Sequence, residues 1–121
     1  MEKTLRKNML FDFYGSLLTA RQQEIYQMYF TQDMSLGEIA EQLDISRQAV
    51  YDIIKRSSVI MEEFESKLKL LDKYMRQQKM YEHVFDQLSK LAALFEANNY
   101  IEELTKISQI KTMIEKIQSE S

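Results

Sequence analysis

Six polar side chains that could contact nucleic acid lie close together in the chain. An arginine can bind guanine through two hydrogen bonds and a glutamine can bind adenine in the same way, while tyrosine, serine and lysine side chains bind phosphate oxygens. One segment contains all of these residue types, at Ser46, Arg47, Gln48, Tyr51, Lys55 and Arg56. We therefore predict that these six residues contact nucleic acid.

The charge of this segment differs from that of the whole chain. The formal net charge of the 121 residues is -3, which does not favour nucleic-acid binding. Between residues 46 and 56, however, Arg47, Lys55 and Arg56 are opposed only by Asp52, so the local charge is +2. Three phosphate contacts per chain predict weak binding with a salt slope of roughly -2.7. The alternative is that these residues form an ordinary solvated helix face on a protein-binding domain.

The remaining chemistry of the sequence does not favour an enzyme. His83 is the single histidine and there is no cysteine, so a zinc site is not expected. The acidic pairs Glu62-Glu63 and Glu102-Glu103 are typical of solvated helix faces, and no opposed pair of carboxylates is apparent. There is no glycine-rich phosphate loop and no nucleophile elbow. We expect a protein without catalytic activity, cofactor or metal.

The candidate residues lie within a predicted helix-turn-helix at residues 35–55. Ser35 and Glu38 form a capping box at the start of the first helix, and Ser46 caps the second. Asp44 is at the turn, where a left-handed backbone is needed and aspartate is tolerated. Ala40 is small enough for the close crossing of the two helices. The predicted core residues of the motif are Ile39, Leu43, Ile45, Val50 and Ile53.

Two further helices are predicted before this motif. Residues 3–18 carry apolar side chains at every fourth position, at Leu5, Met9, Phe13 and Leu17, with Leu10 and Tyr14 beside them. Thr19 and Gln22 form a second capping box, and the helix that follows carries apolar residues against which the motif can pack. The connection to the motif is expected at residues 30–34.

The second half of the chain predicts long amphipathic helices. One apolar stripe runs along a helix that continues from the motif, through Ser57, Met61, Phe64, Leu68, Leu71 and Met75, and resumes at Tyr81, Val84, Leu88, Leu91 and Phe95. Asn98-Asn99 predicts a turn, and a last helix carries Ile101, Leu104, Ile107, Ile110, Ile114 and Ile117. These stripes predict either internal packing or a homodimer interface.

The composition agrees with an all-α fold in two regions. The chain has no proline and only two glycines, so few residues interrupt helices. We predict an N-terminal helical region at 1–58 and a C-terminal helical assembly region at 59–121. The first residues lack the pattern of a secretory signal, and no apolar run reaches membrane-spanning length, so a cytoplasmic protein is expected.

Residues 17–65 resemble region 4 of bacterial sigma factors. The resemblance rests on the order of Leu18-Thr19-Ala20-Arg21-Gln22-Gln23-Glu24, Tyr29-Phe30, Ser35-Leu36-Gly37-Glu38-Ile39-Ala40 and Ile45-Ser46-Arg47-Gln48-Ala49-Val50. In that family the second helix of the motif enters the major groove of promoter DNA. The resemblance therefore implies the same role for the helix that begins after Ser46.

Most of the chain resembles the YlxM family of small bacterial proteins. The resemblance rests on residues 10–19, LFDFYGSLLT, on residues 23–29, and on an all-helical segment that follows the motif. That family is associated, through gene neighbourhood, with the signal recognition particle GTPase and its receptor. The resemblance therefore implies a DNA-binding regulator linked to the signal recognition particle pathway. The alternative is an accessory protein that binds the particle's GTPase, receptor or RNA without reading DNA.

Overall fold

A computed structural model describes residues 3–120, and the regular structure within that range is helical throughout. The helices are α1 (Lys3–Tyr14), α2 (Ala20–Phe30), α3 (Leu36–Leu43), α4 (Arg47–Leu68), α5 (Leu70–Ala97) and α6 (Ile101–Glu120). A short 3₁₀ helix, Gly15–Leu17, follows α1. The described residues contain no β-strand. The predicted all-α fold is confirmed.

The helix-turn-helix forms as its local sequence signals indicate. Ser35 and Glu38 make both hydrogen bonds of a capping box at the start of α3, at 3.1 and 3.2 Å. The Ser46 hydroxyl accepts a hydrogen bond from the Ala49 N–H at 3.0 Å and so caps α4. Asp44 adopts the left-handed conformation, with φ 55° and ψ 47°. Each predicted boundary of the motif is confirmed, because each depends on contacts within a few residues.

A single apolar cluster holds α2, α3 and α4 together. Its buried members are Ile25, Met28, Ile39, Ala40, Val50 and Ile54. Ile39, Ala40 and Val50 are buried as predicted, whereas Ile53 is only partly buried. Ile54 is buried instead of Ile53, because Ile54 lies four residues after Val50 and therefore on the same side of α4. This cluster fixes which face of α4 remains exposed.

The buried face of α1 differs from the predicted one. Leu5 and Leu17 are 49% and 55% exposed, while Leu10, Tyr14 and Leu18 are buried. The helix ends at Tyr14 and gives way to the 3₁₀ turn, so the predicted 3.6-residue period does not extend to Leu17. The buried face therefore contains Leu10 and Tyr14, which were expected to lie beside the main apolar stripe.

The predicted continuous helix through residues 57–75 is interrupted. Helix α4 ends at Leu68, Lys69 adopts the left-handed conformation with φ 54° and ψ 33°, and α5 begins at Leu70. Tyr14 and Glu65 satisfy the backbone at this break: the Tyr14 hydroxyl accepts from the Leu70 N–H at 3.1 Å, and the Glu65 carboxylate accepts from the Leu71 N–H at 2.9 Å. These side chains replace hydrogen bonds that a continuous helix would have made.

The chain divides into two compact units, residues 1–71 and 72–121. The first unit extends beyond residue 58, because Met61 and Glu65 in the second half of α4 are buried.

In the second unit, α5 and α6 form a helical hairpin whose turn contains Asn99 with φ 61°, at the predicted position. Ile107 and Ile114 are buried in α6. No helix among the described residues is long and apolar enough to span a membrane.

Candidate nucleic-acid interface

The first three turns of α4 present the predicted contact residues on its exposed side. Arg47, Gln48, Tyr51 and Lys55 fall within about 100° of the helix circumference, at 100° per residue. All four are exposed, while Val50 on the other side of the helix is fully buried. The packing of α4 against α2 and α3 therefore leaves this polar face open to a ligand.

Two of the candidate side chains already make intramolecular contacts. The Gln48 side-chain amide donates a hydrogen bond to the Asp52 carboxylate at 2.9 Å, one helical turn away. The Arg47 guanidinium lies over Gly37 of α3, so that a Cβ atom at Gly37 would be 3.0 Å from an arginine nitrogen. The Arg47 side chain is long and flexible, so other rotamers are accessible to it.

Ser46 and Arg56 lie outside the group formed by the other four residues. The Ser46 hydroxyl accepts the cap hydrogen bond and keeps its own proton available to a phosphate oxygen. Arg56 is exposed and lies about 100° around the helix from Lys55. The structure thus groups four of the six candidates closely, places Ser46 at the N-cap of α4 and places Arg56 about 80° beyond Gln48 around the helix.

Three residues that the sequence did not single out lie beside Tyr51 and Lys55. Lys3, Lys7 and Tyr29 line a cavity of about 420 Å³ together with Tyr51 and Lys55. Its apolar lining comes from Phe30, Leu36, Ile54 and Val59, and none of the described residues that line it is acidic. The Lys7 ammonium lies 5.3 Å from the centre of the Phe30 ring. We name this feature the lysine–tyrosine cavity.

Helix α1 is anchored to the second half of α4 by a charged contact. The Arg6 guanidinium donates two hydrogen bonds to the Glu62 carboxylate, at 2.9 and 2.8 Å. This contact raises the pKa of Arg6 above its ordinary value. It joins α1, the helix of Lys3 and Lys7, to the helix that carries the candidate face.

Two tyrosines inside the first unit are held in the neutral form. Burial raises the pKa of Tyr14, and the hydrogen bond to Glu65 adds to the effect. Burial also raises the pKa of Tyr26. Neither group lies on the exposed face of α4. Both belong to the interior of the first unit and contribute to its stability.

The described residues contain no group of three or more His, Cys, Asp or Glu side chains placed to hold a metal ion. His83 is exposed on α5.

A short helix, a left-handed turn and a second helix with an exposed polar face define a helix-turn-helix protein. Residues 1–101 match the model of the UPF0122 family, described as "Putative helix-turn-helix protein, YlxM / p13 like". The chain belongs to this family, which confirms the resemblance to the YlxM family.

Similar proteins from several bacilli extend the match over nearly the whole chain. UPF0122 proteins of Bacillus thuringiensis (strain Al Hakam) and Bacillus anthracis (strain A0248) are each 44% identical over 117 residues, which is 97% of this chain and 98% of each relative. A UPF0122 protein of Bacillus mycoides (strain KBAB4) matches to the same extent.

Proposed function

We propose that the protein is a non-enzymatic regulator that binds duplex DNA with the first three turns of α4 in the major groove. Arg47 and Gln48 contact base edges, Tyr51 and Lys55 contact bases or backbone, and Ser46 and Arg56 lie near phosphates. The observation that carries this proposal is the open polar face of α4, which the buried cluster beneath it holds in place. A dimer could place two such helices on successive turns of the duplex.

The charge of the face sets the expected strength of binding. Its three cations, Arg47, Lys55 and Arg56, give a slope of log affinity against log salt of roughly -2.7 per chain. Asp52 lies on the same exposed side and opposes the phosphates. Binding is therefore expected to be weak and strongly dependent on salt.

The test is fluorescence anisotropy with a labelled random-sequence duplex over a range of salt concentrations. The Arg47→Ala/Lys55→Ala variant should bind more weakly, and its salt slope should fall to roughly -0.9, the value for one phosphate contact. Lys79→Ala/Lys116→Ala is the matched control, because it removes the same charge from exposed positions of the second unit. Equal losses in both variants, or no duplex binding at low salt, would contradict the proposal.

A second candidate function is binding of an acidic protein segment or RNA in the lysine–tyrosine cavity. Three lysines around an apolar floor favour a ligand that combines negative charge with an apolar or aromatic group. The resemblance to the YlxM family implies that this ligand belongs to the signal recognition particle GTPase, its receptor or its RNA.

Substitutions on one face of the first unit at a time can distinguish the two functions. Binding to the purified particle GTPase, receptor and RNA should be lost in Lys3→Glu/Lys7→Glu and kept in Arg47→Ala, because Arg47 does not line the cavity. Lys79→Glu/Lys116→Glu is the charge-matched control. Loss of partner binding in Arg47→Ala, with Lys3→Glu/Lys7→Glu unaffected, would assign the interaction to the face of α4 instead.

A further inference from the structure

The hairpin of α5 and α6 leaves an apolar stripe exposed on each of its helices. On α5 the stripe consists of Met80, Val84, Leu91 and Leu94, which are 66%, 43%, 41% and 64% exposed. On α6 it contains Ile110 and Met113, which are 41% and 61% exposed. The spacing on α5 is that of a heptad repeat, with Gln87 in the remaining position.

A different stripe on each helix packs inside the hairpin. On α5 this inner stripe contains the partly buried residues Tyr81, Phe85, Leu88, Ala92 and Phe95, and on α6 it contains Leu104, Ile107, Lys111 and Ile114. The Lys111 ammonium lies 4.8 Å from the centre of the Phe85 ring, which shows that these two inner stripes face each other.

Both exposed stripes lie on the same side of the hairpin. On α5, Met80, Val84, Leu91 and Leu94 each precede a residue of the inner stripe by one position, and on α6 Ile110 and Met113 precede Lys111 and Ile114. One residue corresponds to a rotation of about 100°. The two helices run in opposite directions, and their inner stripes face each other. A rotation of the same sense about each chain direction therefore places both exposed stripes on the same side of the hairpin. Together they form what we call the hairpin face.

The hairpin face is comparable in size to the largest apolar patch of a typical monomer, which is often a functional surface. It extends about 21 Å along α5 and about 5 Å along α6, at 1.5 Å per residue and about 10 Å of width per helix, so its projection is on the order of 300 Å². Apolar patches of this size on soluble proteins mark interaction sites. The side chains concerned carry no polar atom that would favour exposure.

We propose that the hairpin face binds the hairpin face of a second copy of this chain, forming a four-helix bundle. The heptad stripe of α5 packs best against a helix that carries the same repeat, and an identical hairpin supplies that helix together with Ile110 and Met113 of α6. A two-fold axis makes a single self-complementary face sufficient for both partners and leaves no apolar stripe open. The two methionines, Met80 and Met113, lie toward the end of the hairpin that is away from the turn, where they can adjust to fill gaps between the helices.

The proposal is tested by the mass of the full chain in solution, measured by light scattering after size exclusion over a range of concentrations. Wild type should have twice the chain mass of 14.5 kDa. Leu91→Glu should reduce the mass to that of the monomer without loss of helical circular dichroism, because Leu91 contributes to the face and is exposed within the chain. Leu68→Glu is the matched control: Leu68 is 53% exposed on α4, outside the hairpin, and its variant should remain dimeric.

A second variant covers the possibility that Leu91→Glu disturbs the hairpin. Met113→Glu changes the other helix of the same face. It should also give a monomer, with a dimer dissociation constant at least tenfold higher than that of wild type. A monomeric wild-type chain would overturn the proposal and leave the hairpin face to a different protein. Dimers of unchanged stability in both variants would overturn it as well, since they would place the dimer interface elsewhere.

Discussion

Replacing Tyr14 with phenylalanine should destabilise the first unit, because it removes a buried hydroxyl that takes part in two hydrogen bonds. The Tyr14 hydroxyl donates a hydrogen bond of 2.6 Å to Glu65 and accepts one of 3.1 Å from the Leu70 N–H. Tyr14 is fully buried and Glu65 is 7% exposed, so water cannot readily replace the lost group. The variant therefore leaves a carboxylate and a backbone N–H each short of one partner at the start of α5.

The expected loss follows from these two hydrogen bonds. A hydrogen bond to a charged group contributes about 1.5–3 kcal/mol, and an unsatisfied buried N–H costs about 1–3 kcal/mol. Glu65 keeps its hydrogen bond from the Leu71 N–H, and Leu70 itself is 42% exposed, so both penalties should lie near their lower limits. We expect Tyr14→Phe to lower the free energy of unfolding by about 3 kcal/mol.

Urea denaturation followed by far-ultraviolet circular dichroism measures this loss. Tyr100→Phe is the control, because Tyr100 is 51% exposed and should lose less than about 0.5 kcal/mol. Combining Tyr14→Phe with Glu65→Gln in a double-mutant cycle should give a coupling energy above about 1 kcal/mol. A loss below 0.5 kcal/mol for Tyr14→Phe would refute the reasoning and show that the backbone of Lys69 maintains the break without the side chains.

Four further outcomes are expected. Because burial raises the pKa of both Tyr14 and Tyr26, the native state holds these groups neutral, while the unfolded state ionises near pH 10. The free energy of unfolding should therefore be fully present below that pH and fall above it, by up to about 1.4 kcal/mol per pH unit and group. Urea titrations from pH 8 to 11 should show a shallower fall in Tyr14→Phe. Lys69→Gly should raise the midpoint of urea unfolding, corresponding to about 1 kcal/mol, because glycine adopts φ 54° without strain; an unchanged midpoint would mean that Lys69 is not strained. Gly37→Ala should leave stability within about 1 kcal/mol of wild type, since the new Cβ meets only the flexible end of Arg47; a larger loss in the same assay would show that Arg47 cannot move aside. Asp52→Asn should strengthen duplex binding about twofold to threefold in the anisotropy assay, from roughly 0.5 kcal/mol of repulsion at about 8 Å in water, while unchanged affinity would place Asp52 away from the phosphates.

The helix-turn-helix could be predicted because its signals are local. The caps at Ser35 and Ser46 and the left-handed Asp44 each depend on residues within one helical turn. The exposed face of α4 followed from the same pattern, so four candidate contact residues were found together. Their roles in binding stay predictions until the duplex is tested.

The break after Leu68 could not be predicted because the contacts that satisfy it are distant in sequence. Residues 66–72 contain no glycine or proline, and the apolar period continues across them. At the break, Leu70 and Leu71 donate backbone hydrogen bonds to Tyr14 and Glu65, two side chains that are 51 positions apart in the chain and hydrogen-bonded to each other. The lysine–tyrosine cavity has the same origin, since Lys3 and Lys7 meet Tyr51 only after α1 packs on α4.

The predicted stripe on α5 combined residues from two neighbouring faces. Tyr81, Leu88 and Phe95 are partly buried in the hairpin, whereas Val84 and Leu91 belong to the exposed hairpin face. Two heptad stripes that are offset by one residue cannot be separated by period alone, because both satisfy the same spacing. The burial of each side chain in the folded hairpin separates them.

Helix α4 carries the proposed contact residues at one end and the contacts to α1 at the other. Its first three turns expose the candidate contact residues, while its last turns receive Arg6 and Tyr14 from α1 through Glu62 and Glu65. A substitution at Tyr14 should therefore change stability without altering the charge of the exposed face of α4. A substitution at Arg47 should alter that charge without changing stability. Because the two sets of residues share a helix but no contact, loss of folding and loss of binding can be measured as separate quantities in this chain.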